Sequence, residues 1–180
     1  SSIWNDALET EDDGFDVEKA IAEIKSPKSK PGDVYRLGSH RLICGDSQDP
    51  AIIKRLLGRE QAGMIFTDPP YNISLDYNKG LGGKKSYGGT TDDKKSNAEY
   101  EKFLATALEN GLAVTSKDAH VLMFCDENYI GLVQKVFKDG GVAPKRVCLW
   151  LKNGFNATPQ VAFNKAVEPC VYGTVGRPPL

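Results

Sequence analysis

The chain has 180 residues, 40% hydrophobic and 26% charged, which is enough for one α/β domain with a real core and argues against disorder throughout. A formal net charge of -1 excludes a generally basic nucleic-acid binder, so any contact with phosphates has to come from local clusters of Lys and Arg. Cys44, Cys125, Cys148 and Cys170 form no CxxC pair and have no His at ligand spacing, which argues against a metal site and leaves them as small buried hydrophobes of a reducing compartment. With no long apolar run and no signal-like start, the expected setting is the cytoplasm, with no membrane partner.

Residues 1–13 are polar and acidic without a period. Val17, Ala20, Ile21 and Ile24 then make a short helical stripe that Ser26-Pro27 breaks. The Pro, Ser and Lys content of Lys25 to Gly32 reads as a linker, so residues 1–32 are expected to be a leader helix and linker and the folded domain to span 33–180. Asp33 to Leu37 and His40 to Gly45 flank the turn signal Gly38-Ser39 and predict a hairpin. After Gly45-Asp46-Ser47, Pro50 opens a short amphipathic helix carrying Ile52, Ile53, Leu56 and Leu57, which Gly58 closes. The next strand, Ala62 to Thr67, is expected to lie parallel to the one before the helix.

Ile73 to Ser96 is rich in Gly, Lys, Tyr and Asp with no apolar period, which predicts a long functional loop. A helix over Glu99 to Val114 follows, with Asn97 as its cap and Tyr100, Phe103, Leu104, Ala107 and Leu108 on one face. Ala119 to Cys125 reads as a strand, Tyr129 to Phe137 as a helix, Arg146 to Leu151 as a strand, Asn153 to Asn156 as a loop and Glu168 to Gly173 as a last strand.

The stretch that organises this alternation is Asp68-Pro69-Pro70-Tyr71, at the carboxyl end of the Ala62 to Thr67 strand. Proline has no N–H for a sheet ladder, so the strand stops there and leaves a rigid polar lip where open α/β sheets place their ligands. An exocyclic amine on a nucleobase is a poor nucleophile until its lone pair is localised. A carboxylate and a backbone carbonyl, here Asp68 and Pro69, accept its two N–H groups and do that, while the paired prolines limit reorganisation. Tyr71 supplies an aromatic face for a base extruded from a duplex.

Asp68-Pro69-Pro70-Tyr71, the upstream Leu42-Ile43-Cys44-Gly45-Asp46-Ser47 and the downstream Leu149-Trp150-Leu151-Lys152 together resemble amino-group DNA methyltransferases, in the order of their β group. The resemblance runs from Asp33 to Gly173 and implies a Rossmann-like α/β core with a mostly parallel sheet and flanking helices. It also implies S-adenosylmethionine as the methyl donor, DNA as the partner and direct transfer without a covalent enzyme intermediate. Asp68, Pro69, Pro70 and Tyr71 become the catalytic, base-binding residues, with Asp46, Ser47 and Asp68 on the cofactor side. An Asp in the first motif position goes with adenine N6, whereas Ser is more typical of cytosine N4.

The family's Phe-x-Gly-x-Gly cofactor motif is not present, and Gly80-Leu81-Gly82-Gly83 follows no strand, so the sequence reads as an incomplete, amino-terminal portion of such an enzyme. Its expected partners beyond DNA are a second copy or the carboxyl-terminal portion of the same enzyme. A truncated, non-catalytic DNA-binding module is the rival from another class. Asn72, Tyr77, Lys79, Lys84, Lys85, Tyr87 and Lys152 are candidate DNA contacts, weighed against an ordinary solvated loop. Asp46 has the competing role of a helix cap, Trp150 reads as a core residue, and His40 and His120 read as surface or turn residues.

Overall fold

Two short runs with polar residues between their apolar ones can satisfy their hydrogen bonds on each other without entering a larger sheet. The computed structural model, which describes residues 14–26, 28–74, 93–156 and 165–180, shows this for β1 (Val34–Leu37) and β2 (His40–Ile43). They pair antiparallel as an isolated two-stranded sheet, with Gly38 at φ 63 in the tight turn. Helix α1 (Val17–Ala22) precedes them, its first turn capped by the Asp16 carboxylate. Helix α2 (Pro50–Leu57) follows, and the Arg41 guanidinium of β2 donates to the carbonyls of Leu56 and Leu57 at its carboxyl end.

The main sheet contains β3 (Ala62–Thr67), β4 (Thr115–Phe124), β5 (Ala143–Asn156) and β6 (Lys165–Val175), in the order β3-β4-β6-β5. β3 and β4 are parallel, with Phe66 opposite Leu122. β6 is antiparallel both to β4, with Leu122 opposite Tyr172, and to β5, with Cys148 opposite Cys170. Three strands therefore run one way, and the reversed β6 sits between two of them.

Helices α3 (Asn97–Leu112) and α4 (Ile130–Asp139) cover one face. Tyr100, Leu104 and Leu108 of α3 and Val133, Val136 and Phe137 of α4 bury against Val121 and Met123 of β4 and Val171 of β6. These residues recur at helical spacing on the helices and at alternate positions on β4, the patterns that put one stripe of each element into a common core. The opposite face carries an aromatic row in edge contact, Phe66 to Phe124 at 5.6 Å and Phe124 to Trp150 at 6.0 Å, with Phe66 64% and Trp150 55% exposed.

Several expectations change. β2 is not a parallel neighbour of β3, because it is paired with β1 in its own sheet. The mostly parallel sheet is, among the described residues, a mixed one in which β6 runs against β3, β4 and β5. Ser96, not Asn97, caps α3: its side chain accepts from Glu99 N–H while the Glu99 carboxylate accepts from Ser96 N–H, a reciprocal capping box. Residues 153–156 continue β5 instead of forming a loop. Trp150 is not a core residue, since no described element covers its face. Cys125 and Cys170 are buried as expected, but Cys44 and Cys148 are exposed.

Candidate active site

β3 delivers the chain to Asp68 at its carboxyl end, and two consecutive prolines leave the backbone there with carbonyls and no N–H groups. The Pro70 carbonyl accepts a hydrogen bond from the Tyr100 hydroxyl at 2.8 Å. Tyr100 is 1% exposed and lies in the first turns of α3, where the Ser96–Glu99 box fixes the helix start. Burial, then the neighbouring Cys125, Tyr129 and acidic groups, raise its phenol well above the ordinary range, so the hydroxyl remains a donor. A short cap sequence thereby sets where a core tyrosine grips the motif.

Immediately after Tyr71 the chain takes two left-handed residues, Asn72 at φ 58 and Ser74 at φ 61. Such a turn needs partners for its N–H groups, and the segment before α3 supplies them. The Asp93 carboxylate accepts from Asn72 N–H at 2.7 Å and Ile73 N–H at 3.1 Å, and the Asp93 carbonyl accepts from Ser74 N–H at 2.9 Å. The Asn72 side chain in turn donates to the Lys95 carbonyl at 2.9 Å and accepts from Lys95 N–H at 2.7 Å. It also donates to the Tyr129 hydroxyl at 3.1 Å. Asn72, expected at a DNA surface, is instead buried, and its amide is occupied inside the protein.

Tyr71 is half-buried with its hydroxyl 3.4 Å from Glu168 Oε2 of β6. Burial first, then hydrogen bonding to Asp68 and the charges of Asp68 and Glu168, push its phenol far above the usual range, so it acts as a neutral donor between two carboxylates. Glu168 also pairs with the Lys152 ammonium of β5, which lies 5.3 Å from the centre of the Trp150 ring. Lys152, read from sequence as a possible phosphate contact, is thus tied to the strand that carries Glu168. The sequence reading did not single out Glu168. Its signal was an isolated carboxylate in the apolar run Val167 to Val171, where a charge needs a partner.

Asp46 and Ser47 lie in the turn after β2. Gly45 lets this turn lie close to α2, since a Cβ there would meet the Ile52 side chain at 2.8 Å and force it to shift. Asp46 does not cap α2; Asp49 does, accepting from Ala51 N–H at 2.8 Å, while Asp46 accepts from Gln48 N–H at 2.9 Å. The Ser47 carbonyl accepts from the Asn110 side chain at 3.0 Å. Tyr100 grips the motif near the start of α3 and Asn110 holds the Ser47 turn near its end, about 15 Å of helix rise apart. The two candidate half-sites are therefore anchored at opposite ends of one helix. Tyr77, Lys79, Lys84, Lys85 and Tyr87, and the Gly80 to Gly83 stretch, lie outside the described residues.

The two buried cysteines are held as thiols. Burial, then the neighbouring Cys170 and Asp126, push the Cys125 thiol up to about 12, and burial, then Cys148, push Cys170 up to about 11. A raised value means that both remain protonated thiols at pH 8 and are poor nucleophiles. Brief iodoacetamide treatment of the native protein at that pH should label Cys44 and Cys148 and spare Cys125 and Cys170; peptide mass spectrometry showing all four labelled alike would contradict this. Among the described residues no group of His, Cys, Asp and Glu is arranged to hold a metal, and no helix is long and apolar enough to cross a membrane.

Residues 62–176 match a family model described as DNA methylase. The type II methyltransferase M.HpaI of Haemophilus parainfluenzae is 31% identical over 100 residues, covering 54% of this chain and 27% of that protein. Among solved structures, M1.HpyAVI aligns with a TM-score of 0.46 at 16% identity over 71% of this chain and 54% of its own. The M1.HpyAVI–SAM complex aligns with a TM-score of 0.44 at 18% identity, covering 72% and 52%. The chain spans about a quarter of the length of the curated relative it matches and about half that of these solved chains.

Proposed function

Because the chain belongs to the DNA methylase family, whose model spans β3 to the end of β6, we propose that the protein transfers a methyl group to adenine N6 of a base extruded from DNA. The observation that carries this reading is the division of labour in the proline loop. Tyr100 engages the Pro70 carbonyl from the core side, so the acceptors that remain for an incoming amine are the Pro69 carbonyl and the solvent-exposed Asp68 carboxylate. Those two acceptors take the two amine N–H groups and localise the nitrogen lone pair for attack on an electrophilic methyl carbon. Forming the N–C bond would break the methyl–sulfur bond of the sulfonium donor, the electron pair leaving with sulfur as a neutral thioether, while the nitrogen gives up one proton along the Asp68 hydrogen bond toward solvent. Tyr71, neutral and tethered through its hydroxyl, presents its ring to the extruded base.

S-adenosylmethionine, the ligand named in one of the solved neighbours, fits the donor role. Its hydroxyl and ammonium groups need a carboxylate, and Asp46, exposed in the turn after β2, supplies one beside Ser47. Bound there, it would supply the activated methyl group. Adenine is favoured over cytosine because the first motif position is Asp.

The test is to incubate the full-length protein with S-adenosylmethionine labelled in the methyl group and unmethylated genomic DNA, then digest to nucleosides for mass spectrometry. Label in N6-methyldeoxyadenosine is expected. Label in N4-methyldeoxycytidine would move the assignment to the other base, and no label in DNA would overturn the reading.

A further inference from the structure

We propose that Tyr100, Tyr129 and Asp93 are positioning residues of the methyl-transfer reaction, a clamp that holds the backbone on both sides of Tyr71. The inference rests on the reading of the proline loop as the base-binding site, and it assigns a role to three residues outside the four-residue motif.

The loop's own chemistry leaves a gap that something else must fill. Prolines restrict φ but donate nothing, so Pro69 and Pro70 cannot anchor the loop through N–H groups. The anchors come from elsewhere in the chain and converge on consecutive peptide units. Tyr100 donates to the carbonyl before Tyr71, at 2.8 Å from Pro70 O. Tyr129 reaches the carbonyl after it, at 3.3 Å from Asn72 O, while accepting from the Asn72 side chain at 3.1 Å. Asp93 accepts from the next two N–H groups, those of Asn72 and Ile73. Every main-chain group named here is therefore fixed by a side chain from outside the loop.

The two tyrosines also brace each other. Their rings meet edge to face with centroids 4.9 Å apart, and Tyr100 belongs to the buried core against which Tyr129 packs. Asp93 is 4% exposed, so its carboxylate is committed inside the protein and not to solvent. Asn72 and Ser74 hold left-handed backbone that non-glycine residues adopt at a cost, and the bonds from Asp93 offset it. The consequence for chemistry is orientation. If the Pro70 peptide rotates, the preceding Pro69 carbonyl and the following Tyr71 ring move with it, and those are two of the three groups that meet the base.

Tyr100→Phe, Tyr129→Phe and Asp93→Asn, each in the full-length protein, test the clamp, since every one of them keeps the shape of the side chain. Misplacement of a reacting group by about an ångström costs up to about 100-fold, so kcat for DNA methylation is expected to fall roughly 10- to 100-fold in each variant. KM for S-adenosylmethionine should stay within about twofold, because the bonds described for the three go to the backbone around Tyr71 and not to the Asp46 turn. Hydrogen exchange of the peptide spanning residues 68–74 should speed up in the same variants. Leu108→Ala, a core truncation away from the loop, serves as the comparison: it should lower the melting temperature without lowering kcat per folded molecule.

Variants that keep wild-type kcat and wild-type exchange in the loop would overturn the clamp. So would a loss of activity that merely follows the folded fraction, as in Leu108→Ala. Absence of DNA methylation by the wild-type protein would count against the proposed function instead, and the exchange measurement would still judge the clamp.

Discussion

Asp68→Ala is expected to abolish methyl transfer, by about 1,000-fold or more in kcat, while leaving the fold intact. Removing a single preorganised electrostatic group from an active site costs roughly 100- to 1,000-fold, and Asp68 combines charge stabilisation with orientation of the amine. The fold should survive because Asp68 is solvent-exposed beyond the end of β3 and belongs to no part of the buried core. Asp68→Asn keeps one carbonyl acceptor and loses the charge, so it should retain measurable activity above the alanine variant. Labelled methyl incorporation into DNA, alongside thermal melting by circular dichroism, checks both halves. Incorporation at the wild-type rate in Asp68→Ala would remove Asp68 from the mechanism.

The largest expected loss of stability is at Phe137. Its ring is fully buried in α4, and it lies against β6 where Gly173 leaves room: a Cβ on Gly173 would sit 3.0 Å from Phe137 Cδ2 and 2.8 Å from Val142 Cγ1. Phe137→Ala removes that packing and opens a cavity under the central antiparallel strand, at an expected cost of about 3–5 kcal/mol. Against a typical total of roughly 5–15 kcal/mol this removes much of the margin. Urea unfolding of the two proteins, compared at equal slope, measures it, and a difference under about 1 kcal/mol would show that the site collapses to fill the gap. Gly173→Ala should destabilise for the opposite reason, overpacking against Val142, the Ala143 carbonyl and Phe137.

How far the sequence revealed this molecule differs by feature, and the reasons are physical. β3 was legible to its ends because an apolar run stopped by two prolines leaves one reading. The α3 face was legible from its period, whereas its cap required noticing Ser96 three residues before Glu99, a reciprocal pair that outcompetes Asn97. Sheet membership was less accessible. A period of two identifies a strand but says nothing about its neighbour, so β2 looked like a parallel partner of β3 although, among the described residues, it pairs with β1.

In the site, the motif itself was plain, but the groups that hold it were not. Tyr100 registered only as one apolar residue of a helix face, Tyr129 as a helix start and Asp93 as one charge in a polar tract. Their common target, the backbone around Tyr71, emerges only in three dimensions. Trp150 shows the converse error: a large aromatic in an apolar strand suggests burial, yet burial depends on what covers that face.

The placement of β6 has a consequence in time. β5 is made before β6, but β6 lies between β4 and β5, so the sheet cannot be laid down in the order of synthesis. β5 joins the sheet only through β6, so β6 must be made and inserted against β4 before the sheet is complete, a long-range step of the kind that makes folding slow. Glu168 arrives beside Tyr71 only with that insertion, whereas Asp68 and the two prolines sit at the end of a strand whose partner, β4, is already available. A nascent or partly unfolded chain would thus carry the motif before Glu168 is in place to anchor its tyrosine.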